Sequence, residues 1–336
     1  MEPRTVRRPP ASEGPAHDHH VHGGVEPALL ASERGKWAVK WSLAVLLLTA
    51  LLQSVVVAFT GSVALLADTI HNFADAATAL PLWIAFALAH RRPTKRFTYG
   101  YGRLEDLAGL IVVVLIAASA LAAAYESLTR LADPQPVAHL WAVILASLIG
   151  FAGNEAVALF RIKIGREIGS AALVVDGYHA RADGLTSLAV LLGAAGVWLG
   201  YAVADAVIGL LITLAIVRIL WQAASAVFTR MLDGVAPEVV DQITRAAAAT
   251  AGVHGAAEVR VRWLGHRLHA EVNVAVAPAL SVEQGHDIAT EVRHRLLHNV
   301  PYLASATIHI DPATASGEGA HGVRTHAHDD LPDHGH

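Results

Sequence analysis

The chain has 336 residues, of which 54% are hydrophobic and only 16% charged, and its mean hydropathy is +0.44; this is the composition of a membrane protein rather than of a string of soluble domains. With 25 basic and 29 acidic residues the net charge is −4, which gives a nucleic-acid partner no support. There is no cysteine, so disulfides and thiolate metal sites are excluded and His, Asp and Glu remain as the strong ligands.

Residues 1–36 are polar and Pro-rich, with the tract HDHHVH at 17–22. They lack the apolar core of a signal peptide and read as a disordered, His-containing cytoplasmic N-terminus. Six apolar stretches follow, at 37–59, 62–88, 104–128, 138–160, 170–198 and 201–224, each long enough for the ~20 residues that cross a bilayer core. Arg91, Arg92, Lys95, Arg96 and Arg103 lie between the second and third stretches, and Arg161, Lys163 and Arg166 between the fourth and fifth. Lys and Arg concentrate in cytoplasmic loops, so both termini are expected in the cytoplasm. The membrane domain is thereby expected to span 37–233.

From Gly234 the pattern changes. Residues 237–250 read as a helix started by Pro237 and Glu238. Two stretches of period-two alternation follow, at 257–263 and 268–276. A second helix covers 281–298, with Ser281 as N-cap and Gln284 three residues on, and a last strand covers 305–311. The order α-β-β-α-β predicts a small cytoplasmic α+β (ferredoxin-like) domain over 234–312. Residues 313–336, rich in Gly, His and Asp and ending in HAHDDLPDHGH, read as a disordered His-rich tail whose histidines bind metal weakly or serve as a spacer.

The membrane stretches carry a repeated polar pattern. Asp68, His71 and Asp75 in the second stretch, and Asp176, His179 and Asp183 in the fifth, both read D-x-x-H-x-x-x-D. On a helix these spacings place three groups on one face. A carboxylate buried alone in a membrane costs several kcal/mol. Brought together around a divalent cation, His71, Asp75, His179 and Asp183 form a four-ligand cage suited to tetrahedral zinc and tolerant of cobalt, iron or cadmium. Asp68 and Asp176 read as partners that orient a histidine or as interfacial residues facing water. Arg181 lies about 200° round the helix from His179 and is not expected to ligate.

The six spans, the segments 71-HNFAD-75 and 176-DGYHARADGLTSLAVL-191, and the α+β tail together resemble the cation diffusion facilitator family of metal transporters over residues 37–312. The resemblance implies a homodimeric antiporter in the cell (inner) membrane that exports a divalent metal from the cytoplasm against inward protons, with no cofactor. The His-Asp pair in the second span resembles the zinc-leaning members. Asn72 leaves cobalt, nickel or iron open. It further implies a pair between Arg103 and Asp233 at the join of the two domains, and a regulatory metal site at a dimer interface using His286, His309 and Asp311. Tyr99 and Tyr101 stand where many members carry histidines, so a metal site in that loop is not expected. Protons competing for His71 and His179, whose side-chain type titrates near pH 6.5, would release the metal outside. Rival readings are a passive metal channel, an intramembrane metallohydrolase, disfavoured because H-E-x-x-H is missing, and a metal sensor, for which no output domain is seen.

Overall fold

In a computed structural model, residues 27–60, 69, 73, 79–89, 91–132, 140–201, 203–316, 326–328 and 331–334 are described. The membrane part is helical: α1 Pro27–Thr60, α2 Ala79–Ala89, α3 Arg103–Ala132, α4 Leu140–Ile168, α5 Ala171–Trp198 and α6 Ala204–Met231. Within the described residues, α1, α3, α4, α5 and α6 are each long and apolar enough to cross a membrane. Buried side chains of the helices pack into several apolar clusters. Val112, Ile116, Val175, Ile216 and Val227 from α3, α5 and α6 meet in one, while Leu82 and Phe86 of α2 pack with Ala38, Ala108 and Leu173 in another.

Two boundaries differ from the sequence reading. Helix α1 begins at Pro27, inside the segment expected to be disordered, because its extra turns find a tertiary partner: Ser32 is fully buried. Helix α4 continues to Ile168, so Arg161, Lys163 and Arg166 are helical rather than in a loop. At 29 residues and 1.5 Å per residue it is about 44 Å long, longer than the ~30 Å hydrocarbon core, which lets its basic end project. The α4–α5 connection shrinks to Gly169 and Ser170. Gly169 has φ +73°, a conformation glycine adopts at low cost, and the Ser170 hydroxyl caps α5 by accepting from Leu173 N at 3.1 Å.

The cytoplasmic domain runs α7 Pro237–Ala248, β1 Val253–Leu264, β2 Arg267–Val276, α8 Val282–Asn299, β3 Leu303–Pro312. Its sheet order is β1-β2-β3, with β1 and β2 antiparallel and β2 and β3 parallel; α8 is the crossover that a parallel pair requires. Ser281 and Gln284 form the expected capping box at the start of α8. Ile243 and Ala247 of α7 and Val292 and Leu296 of α8 bury one face of the sheet through Leu268, Val272 and Val274. Each such large side chain contributes about 1.5–3 kcal/mol over its exposed state.

In the tail expected to be disordered, His326–His328 and Leu331–His334 pair as a short antiparallel ladder. Backbone pairing of this kind needs no apolar core, and composition does not register it.

Candidate metal transport site

The fifth-span stripe is realised on α5. Asp176, His179 and Asp183 are 0%, 2% and 3% exposed, at helical spacings that keep them in one row. The adjoining face of α5 is pressed against α4. Gly177 approaches so closely that a Cβ there would lie 2.7 Å from Ile162 Cγ1, and one on Gly184 would touch Asn154 at 3.4 Å.

His179 Nδ1 lies 3.6 Å from Asp183 Oδ2. Two ligands of a tetrahedral zinc ion at ~2.0 Å bonds stand about 3.3 Å apart. The pair therefore presents a nitrogen and an oxygen at nearly the span one cation would bridge. His71, Asp75 and Asp68, the residues read as its counterpart, lie outside the described residues.

Asp176 has a different partner from the one its spacing suggested. Its Oδ2 is 3.0 Å from Arg161 Nη1 on α4, with side chains 0% and 1% exposed. Arg161, read as an inside-positive loop charge, is thus a cation buried between α4 and α5, and its attraction to Asp176 offsets part of the cost of removing both charges from water. Nearer the middle of the helices, Arg181 makes a forked pair with Glu155 of α4, Nε to Oε2 at 3.1 Å and Nη2 to Oε1 at 2.7 Å. Sequence reasoning missed these rungs. Their signal is in the sequence: an acid and a base six residues apart on one helix, Glu155 and Arg161, are answered by Asp176 and Arg181, five apart, on its antiparallel neighbour.

At the cytoplasmic join, Arg103 pairs with the Asp233 carboxylate and also donates to Arg230 O at 3.1 Å. In the cytoplasmic domain His309 Nε2 lies 3.0 Å from Asp311 Oδ1, the histidine exposed and the aspartate 2% exposed. His286 is exposed on α8. Among the described residues of one chain, no three His, Asp or Glu side chains gather closely enough to hold a metal, so His286 does not join that pair within a single copy.

Comparison with known proteins settles what kind of molecule carries this arrangement. Residues 39–232 match the model of the cation efflux transmembrane domain, and residues 235–313 that of the cation efflux protein cytoplasmic domain. The chain belongs to the cation efflux family, also called the cation diffusion facilitators. A Mycobacterium tuberculosis chain named "Probable cation efflux system protein" is 55% identical over 297 residues, 88% of this chain and 90% of that one. The cation-efflux pump FieF of Yersinia pestis is 27% identical, covering 78% and 87%. The magnetosome protein MamB of Paramagnetospirillum magneticum is 24% identical, covering 84% and 96%. A solved MamM CTD structure, 26% identical, covers 23% of this chain and 92% of its own at a TM-score of 0.22. The cation efflux protein described here is accordingly an integral membrane transporter and not an enzyme.

Proposed function

We propose that this cation efflux protein exports Zn2+ from the cytoplasm in exchange for protons, through a tetrahedral site made of His71, Asp75, His179 and Asp183. The observation that carries the reading is the buried His179–Asp183 pair, whose 3.6 Å separation nearly matches neighbouring zinc ligands. Two carboxylates balance the two charges of the cation, and two imidazoles supply the borderline-soft donors zinc prefers over oxygen-only sites. Co2+, Ni2+, Fe2+ and Cd2+ fit the same donor set less selectively.

Metal binding requires neutral histidine and ionised aspartate, so loading displaces protons and protonation expels the ion. With His71 and His179 carrying those protons, exchange follows from alternating exposure of one site. The transporter works as a homodimer in the cell (inner) membrane with both termini cytoplasmic. Its His309–Asp311 pair becomes a regulatory metal site, with His286, when a second copy completes it.

The test is zinc movement into liposomes bearing the purified chain, with and without an imposed proton gradient, repeated with cobalt, nickel, iron and cadmium. Flux that follows the gradient and ranks zinc first supports the proposal. Zinc flux indifferent to the gradient indicates a passive channel, and a different leading metal reassigns the cargo.

A further inference from the structure

The turn between β1 and β2 is two residues long, Gly265 and His266, yet four helices of the membrane domain converge on it. His266 is 4% exposed, Glu105 of α3 1% and Ser32 of α1 0%. His266 Nδ1 lies 2.8 Å from Glu105 Oε2, and its Nε2 lies 3.2 Å from Ser32 Oγ. The ring of Phe86 on α2 stands 6.1 Å away. Arg230 of α6 donates to Gly265 O at 3.0 Å and to Gly169 O of the α4–α5 turn at 2.9 Å, with its guanidinium 4.0 Å above the Trp263 ring.

The backbone is shaped for this approach. Gly265 has φ +62°, and a Cβ there would lie 2.8 Å from Gly102 O and 2.9 Å from Glu105 Oε2. A Cβ on Gly102 would meet Leu264 O at 2.8 Å. Two glycines facing each other thus let the turn sit against the first turn of α3 and deliver the imidazole to the carboxylate.

We propose that His266 is the coupling residue through which the cytoplasmic domain controls the membrane helices. A pair this buried cannot separate gradually, because a half-withdrawn Glu105 is a carboxylate without either water or its imidazole. The contact is therefore made or broken as a unit. While it is made, any shift of the cytoplasmic domain moves the cytoplasmic ends of α1 and α3 with it. The exposed Arg103–Asp233 pair ties the start of α3 to the segment connecting the domains, where solvent weakens it, whereas His266 grips the bundle from inside. His266 and Glu105 do not touch the cation, so they act by position. The proposal rests on the cation efflux activity of the family and not on zinc as the cargo.

The experiment uses the full chain with His266→Ala, the isosteric Glu105→Gln, and the double variant. Zinc and cobalt(II) are the flux probes in liposomes, and hydrogen–deuterium exchange is read at 101–106 and 264–268. The maximal efflux rate should fall roughly two- to thirtyfold in each single variant, the span by which residues remote from both ligands shift a coupling, with KM unchanged. The double variant should be no worse than the poorer single one, since both break one contact. Both segments should gain exchange together, including in Glu105→Gln, which retains shape if His266→Ala folds poorly. Normal maximal rates in folded variants, additive losses, or exchange that rises in one segment alone would overturn the coupling role. The exchange measurement involves no cation, so it decides the matter even if neither metal moves in the wild type.

Discussion

Arg161 and Asp176 form an ion pair at 3.0 Å with side chains 1% and 0% exposed, one turn of α5 before His179. Together with the Arg181–Glu155 fork, whose Arg181 falls between His179 and Asp183 in the chain, it fastens α4 to α5 alongside the candidate ligands. Helix α5 is thereby held to α4 beside the candidate ligands.

Removing one member of the buried pair leaves the other charged and stranded. Asp176→Ala should destabilise the chain by about 3–5 kcal/mol, whereas replacing both residues by apolar ones of similar volume should come close to the wild type. Thermal unfolding in detergent compares the three. Equal losses in the single and double variants would mean that shape, not charge, dominates the contact.

Gly177 sits where a Cβ meets Ile162 Cγ1 at 2.7 Å and Ile162 N at 3.0 Å. The second of these neighbours is backbone and cannot rotate away. Gly177→Val should therefore push α4 from α5 and cost about 1–3 kcal/mol or more in overpacking, read by the same melting experiment. Gly200→Ala, with nothing within 4 Å of its Cβ position but a φ of +92°, should show backbone strain without any helix separation.

His269, half-buried on β2, has its pKa lowered from the ordinary 6.5 by burial first and then by the cations Arg267 and Arg262. Between that lowered value and about 6.5 the unfolded chain binds a proton that the folded chain refuses, so stability falls as pH drops through this window. The melting temperature of the wild type should decline from pH 7.5 to 5.5, and His269→Gln should flatten that decline. An identical decline in both would remove His269 from the acid response.

Much of this is legible in the sequence alone. The D-x-x-H-x-x-x-D spacing put Asp176, His179 and Asp183 on one stripe, because helical geometry alone decides which residues share a face. Ser281 and Gln284 announced the start of α8 through local hydrogen bonding, and alternation announced β2. What was hidden depended on distant partners. Hydropathy ends the fourth span before Arg161, since a charge in an apolar setting is costly, but Asp176 on the next helix offsets part of that cost. Ser32 lies in a polar segment and becomes helical and buried through contact with His266, 234 residues away. His266 reads as one more histidine beside a strand until α1 and α3 are seen to close over it.

The central claim is that His179 and Asp183 belong to the cage that carries the cation. Its most direct test is zinc flux under a proton gradient in liposomes carrying wild type, Asp183→Ala or Asp75→Ala at matched amounts of folded protein. Loss of flux by more than about 100-fold in both variants, beyond the 10–100-fold typical of groups that only orient a ligand, is the predicted result. Flux in Asp183→Ala equal to that of the wild type would contradict the account.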